Sequence, residues 1–221
     1  MSPSPAYILA GGKSSRFGSD KALAPLGGSP LVVRVAEMLR GVSEEVTIVA
    51  DVAGKYADLG LTTITDRRMN CGPLAGVETA LCDRVERFGP GWIVLASCDL
   101  AGLKREWVET IARQTAPFSR DRQGARSGTR SLRSRLNGDA SEHAKPNAIA
   151  FRETYWQPFP AAYHTDLLPI VEELLDAGRA SFQQLLSEPK TNAVALPLPS
   201  DWPAVVQANT PEELDRFREQ A

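Results

Sequence analysis

Short apolar runs alternate with stretches of helical periodicity along most of the chain, and the alternation predicts the order of elements. Tyr7-Ile8-Leu9-Ala10 reads as a buried strand running into Gly11-Gly12. Leu31, Val32, Val35, Ala36 and Leu39 fall at helical spacing over 30–40, with Pro30 in a helix-starting place. Strands follow over Val46–Ala50 and Leu61–Thr65, then a helix over 73–87 striped by Leu74, Val77, Leu81 and Val85. Trp92–Ala96 is nearly all apolar, as suits a strand in the middle of a parallel sheet, where both faces are covered. A helix at about 104–114, a strand at Ala148–Phe151, helices over 165–177 and near 180–187, and a strand at Asn192–Leu196 continue the pattern. The last helix runs over 210–219, with Asn209 expected as its N-cap and Glu212 and Glu213 at the positive end of its dipole. Such alternation predicts an α/β fold of three layers, a sheet with helices on both faces. Sheets of this kind bind ligands beyond the carboxyl ends of their strands.

The rest of the composition narrows the classes. The chain has 221 residues and reads as one domain over 1–221. Its formal net charge of −2 argues against a nucleic-acid binder. No apolar run approaches the roughly 18 residues of a membrane span, and the first residues lack the pattern of a signal peptide. The cytoplasm is the expected compartment. Three cysteines without a C-x-x-C spacing suit neither a disulfide framework nor a zinc ribbon. With only His143 and His164, a multi-histidine metal site is impossible, and both are expected to be solvated or packed. One segment breaks the rhythm. Residues 117–145 carry a formal charge of +4 against −6 for the rest, with six arginines between Pro117 and Asn137 and almost no apolar content. It reads as a mobile surface loop or as a basic flap over an anionic ligand.

The chemistry concentrates at strand ends. The first strand leads into Gly11-Gly12-Lys13-Ser14-Ser15-Arg16-Phe17-Gly18-Ser19-Asp20-Lys21. Small residues let backbone N–H groups approach a polyanion, and Lys13, Arg16 and Lys21 supply charge. It is not a P-loop, because the first glycine of that pattern would fall at Tyr7. Nor is it G-x-G-x-x-G, because the glycines are adjacent. Lys21 is expected on an exposed part of this loop. The fourth strand ends at Ser97-Cys98-Asp99. A carboxylate at that tip can hold Mg²⁺ while phosphates supply further ligands, or it can cap the following helix. Asp66, just past the third strand, is a candidate for a base or ribose contact or a plain turn residue.

These residues belong to a longer pattern. Leu9-Ala10-Gly11-Gly12, Ser15-Arg16-Phe17-Gly18 and Asp20-Lys21-Ala22-Leu23 resemble the signature of the molybdenum cofactor guanylyltransferases, the MobA family of nucleotidyltransferases. Gly72-Pro73-Leu74-Ala75-Gly76, Cys98-Asp99-Leu100, the run from Gln157 to Tyr163 and Asn209-Thr210-Pro211-Glu212-Glu213-Leu214 continue the resemblance in order. It covers nearly the whole chain except about 116–146. Phe17 stands where the family usually has Met, and Leu100 is followed by Ala101 rather than the usual Pro. Asp51 is the nearest polar match to a nucleotide-contacting Asn at the end of the second strand.

The resemblance implies a Rossmann-like nucleotidyltransferase fold with a mostly parallel central sheet. It implies transfer of GMP from GTP to the terminal phosphate of molybdenum-molybdopterin, with release of pyrophosphate. Leu9, Ala10, Gly11 and Gly12 would line the nucleotide pocket. Lys21 and Arg16 would contact phosphates, Asp66 would help hold guanine or ribose, and Asp99 would bind Mg²⁺ as the metal ligand. Lys21, Arg16 and Asp99 would be the catalytic residues. GTP and molybdenum-molybdopterin are the expected partners, with proteins that deliver molybdopterin or mature molybdoenzymes beyond them. Two other readings compete: a related cytidylyl or sugar-phosphate nucleotidyltransferase, and a non-catalytic nucleotide-binding accessory protein. The form Leu9-Ala10-Gly11-Gly12 favours the guanylyl branch, and the presence of both Lys21 and Asp99 disfavours the accessory protein.

Overall fold

The computed structural model describes residues 4–11, 17, 20–119 and 145–219. Gly12, Lys13, Arg16 and all but the edges of the Arg-rich segment 117–145 lie outside the described residues.

Seven strands share one sheet. β1 (Ala6–Leu9), β4 (Val46–Ala50), β5 (Thr62–Thr65), β6 (Trp92–Ser97), β7 (Ala148–Arg152), β8 (Trp156–His164) and β9 (Ala193–Leu196) stand in the order β5-β4-β1-β6-β8-β7-β9. β2 (Pro25–Leu26) and β3 (Ser29–Pro30) form a small antiparallel ribbon apart from it. All pairings in the large sheet are parallel except those of β8, which runs against both β6 and β7. The helices are α1 (Leu31–Leu39), α2 (Pro73–Phe88), α3 (Arg105–Ser119), α4 (Leu168–Asp176), α5 (Phe182–Ser187) and α6 (Pro211–Glu219).

β1 shows why the sheet is covered on both sides. Ala6, Tyr7, Ile8 and Leu9 are all buried, so neither face of the strand meets water. Tyr7 sends its hydroxyl to Asp83 of α2, 2.7 Å away, and Leu9 packs on Gly76 of the same helix. The alternate side chains face the opposite layer, where α1 and α3 pack. The three-layer α/β reading therefore holds, with a mostly parallel sheet.

Several details differ from expectation, the β2–β3 ribbon among them. β8 is a strand that periodicity does not predict. α3 runs on to Ser119, past the expected end near 114. The cap of α6 is Thr210, not Asn209: the Thr210 hydroxyl accepts the Glu213 N–H at 3.2 Å, and the Glu213 carboxylate accepts the Asn209 N–H at 2.6 Å. The threonine stands three residues before the glutamate, the spacing a reciprocal cap needs. His164 is buried with its ring edge-on to Trp92, in keeping with a packing role.

Candidate active site

The chain leaves β1 towards β4 and β5 and returns to β6 on the other side of β1. The crevice beyond the carboxyl ends of β1 and β6 is thus the switch point at which such sheets bind ligands. A cleft of about 490 Å³ opens there. The Cys98 N–H donates to the Leu9 carbonyl at 3.0 Å, carrying the β1–β6 pairing up to the residue before Asp99.

Asp99 is nearly buried at this tip. Its Oδ1 accepts from the Ser97 hydroxyl at 2.6 Å, and its Oδ2 takes the Lys21 ammonium at 2.7 Å. Asp99 does not cap the following helix: α3 starts only at Arg105. Its carbonyl instead accepts the N–H of Ala208 at 2.9 Å, tying the segment before α6 to the tip of β6. Lys21 is not on an exposed loop. It opens a single 3-10 turn, Lys21–Leu23, and only 18% of its side chain is exposed, because the turn folds back over the cleft onto Asp99. Cys98 is a poor nucleophile here, since burial and then the charge of Asp99 push its thiol up to about 12.

The β4–β5 side forms one wall. Leu9, Ala10, Gly11, Asp51 and Asp66 line it. Gly11 passes so close to Asp66 that an added Cβ would lie 3.2 Å from the carboxylate. Gly76 of α2 is tighter still: a Cβ there would meet a Leu9 methyl at 2.9 Å, so the missing side chain is what lets α2 close on the pocket wall. Asp66 is half-buried, and burial raises its pKa, partly offset by the Thr79 hydroxyl at 3.3 Å. Asp51 is held below the usual carboxylate range, chiefly by the hydrogen bond from Lys55 at 2.9 Å. Arg68 reaches the cleft but is committed elsewhere, to Glu78 of α2 at 3.0 Å and to Asp176 of α4.

The opposite wall comes from β8, which the sequence left unassigned. Ala150 pairs with Ala161, yet the next residue, Phe151, pairs with Gln157. Pro158, Phe159 and Pro160 therefore bulge out of the ladder, and two of the three have no N–H to give it. The bulge presents Phe159 to the cleft, braced edge-on by Phe182 of α5 at 4.8 Å. Thus Leu9, Ala10, Gly11, Lys21, Asp66 and Asp99 converge on one cleft, while Gly12 and Arg16 fall outside the described residues. Among the described residues, no three His, Cys, Asp or Glu side chains gather at one point as a ready metal cage. No described helix is long and apolar enough to cross a membrane.

Known proteins bear on this arrangement. Residues 6–193 match the family described as the MobA-like NTP transferase domain. The chain is similar to a Deinococcus radiodurans protein named "Probable molybdenum cofactor guanylyltransferase", with 37% identity covering 80% of this chain and 76% of that one. A Synechococcus elongatus protein of the same name is 32% identical, and the match covers 94% of each. Among solved structures, the molybdopterin-guanine dinucleotide biosynthesis protein A of Archaeoglobus fulgidus superposes with a TM-score of 0.69 at 21% identity, over 98% of this chain and 97% of that one. At that identity the superposition speaks for the fold. The family match over most of the chain, joined to a cleft at the switch point, means that the chain belongs to the MobA-like NTP transferase family and is an enzyme of the nucleotidyltransferase class.

Proposed function

We propose that the enzyme transfers GMP from GTP to the terminal phosphate of molybdenum-molybdopterin. A terminal phosphate oxygen of the acceptor attacks the α-phosphorus in line. The new P–O bond forms as the bond between the α-phosphorus and the bridging oxygen breaks, and pyrophosphate leaves with the electron pair. The observation that carries the reading is the Lys21–Asp99 pair at the switch point of the sheet. The choice of guanine and of molybdopterin is supported by the names of the relatives above.

In this reading the nucleotide lies on the β4–β5 side, along Leu9, Ala10, Gly11 and Gly12, with Asp66 towards its base or ribose. The acceptor enters from the side of Phe159, whose ring offers an apolar face to a pterin. Two polyanions must meet, so cationic groups govern the barrier. Lys21 sits where it can leave Asp99 for the triphosphate, and Arg16 adds charge from the glycine-rich loop. Asp99 is an oxygen donor suited to Mg²⁺, which takes one or two carboxylates and fills its shell with phosphates and water. Bound there, Mg²⁺ would supply charge to offset the phosphate repulsion.

The test is pyrophosphate release with each of the four nucleoside triphosphates in the presence of molybdopterin. Release with GTP alone among them supports the proposal. Release only with CTP, or only with a sugar phosphate as acceptor, replaces it. No release with any pair points to the accessory protein.

A further inference from the structure

Both carboxylate oxygens of Asp20 are engaged, by partners from two separate parts of the chain. Its Oδ1 accepts the Ala22 N–H at 3.0 Å and so caps the turn that begins with Lys21. Its Oδ2 accepts the Tyr56 hydroxyl at 3.0 Å and the Lys55 ammonium, also at 3.0 Å. Lys55 and Tyr56 lie on the connection between β4 and β5, far from the glycine-rich loop in sequence. Lys55 also holds Asp51 on the cleft wall at 2.9 Å. The ring of Tyr56 is 1% exposed, so its hydroxyl has a fixed origin in the core. Burial, with Asp20 beside it, pushes the phenol's pKa up, so it remains a donor at any working pH.

The anchoring of Asp20 matters because Lys21 is the next residue in the chain. Lys21 must reach Asp99, or a phosphate beside it, from a turn whose cap is the side chain of Asp20. We infer that Tyr56, with Lys55, is a positioning residue for the transfer reaction: it anchors Asp20, and Asp20 fixes the turn that aims Lys21. The alternative, a tyrosine hydroxyl satisfied only for the sake of the core, predicts a stability defect that does not involve Lys21. The inference rests on the catalytic reading of Lys21 given above, and its test separates the two.

The test is a double-mutant cycle of Tyr56→Phe and Lys21→Ala, read in pyrophosphate release with GTP, Mg²⁺ and molybdopterin. GTP affinity serves as the second readout where turnover is too slow. Tyr56→Phe should lower kcat about tenfold. The KM for molybdopterin should stay unchanged, and the melting temperature should fall by no more than about 4 °C. In the Lys21→Ala background the same change should cost less than about twofold, because the group it positions is gone. If Tyr56→Phe fails to fold, Lys55→Met removes the other contact to Asp20 Oδ2 from the surface and completes the same cycle. A full, additive loss in the Lys21→Ala background overturns the inference and leaves the reading of Lys21 intact. An unimpaired Tyr56→Phe enzyme overturns it as well. An unimpaired Lys21→Ala enzyme overturns both.

Discussion

Asp66 and Asp99 face the same cleft but are held differently. Asp99 has a cation and a hydroxyl for its two oxygens, whereas Asp66 has the Thr79 hydroxyl and a raised pKa from burial. A carboxyl whose folded pKa is raised favours the fold fully below its unfolded value of about 3.9 and loses that contribution as pH rises through the folded value. Asp66→Asn removes this loss while keeping the shape. The variant should therefore melt at or above the wild-type temperature near neutral pH, with the gap shrinking in acid, and should bind GTP more weakly. A pH series of melting curves checks it, and a variant less stable by a constant margin would contradict it. Asp99→Asn removes charge at the β6 tip and should lower kcat by about 10²–10³-fold. Circular dichroism should remain native-like, since Asn still accepts the Ser97 hydroxyl. Lys21 and Asp99 were legible in the sequence because each ends or follows a strand in a recognisable motif. The link from Asp20 to Tyr56 was not, because those residues are 36 positions apart and meet only once β4 and β5 are placed beside the loop.

At the scale of elements, periodicity found β1, β4, β5, β6, β7 and β9, because each is a short run of apolar or β-branched residues. It missed β8, where Pro158 and Pro160 interrupt the run, and prolines argue against an interior strand. The bulge resolves the conflict by setting both prolines outside the ladder, and the same device turns Phe159 towards the cleft. The α2–β1 contact gives a prediction of its own kind. Gly76→Ala improves the intrinsic stability of α2 by about 1 kcal/mol. It also forces the Leu9 methyls to move, and Leu9 lines the cleft. Overall stability should change little, while GTP affinity falls. Calorimetric titration beside a thermal melt separates the two effects, and unchanged affinity would show that Leu9 yields away from the nucleotide.

Over the whole molecule the described cleft is acidic. Asp20, Asp51, Asp66 and Asp99 line it, against Lys21 and Arg68, and both cations already have carboxylate partners. A triphosphate entering such a field needs a cation of its own. Chelation of divalent metal should therefore weaken GTP binding by about tenfold or more, as well as stopping turnover. Equal affinity with and without metal, measured by titration, would refute this. The sheet has one further property. Every described residue on the β4–β5 wall precedes Cys98, and the wall of Phe159 is built after residue 145, with α3 between them in the chain. With the nucleotide and the acceptor placed as proposed above, the molecule is divisible at one place into a half that meets the donor and a half that meets the recipient. A lineage could exchange the second half by recombination within the α3 region and inherit the phosphate chemistry intact. New recipients would then be reached by shuffling rather than by slow change at a shared wall.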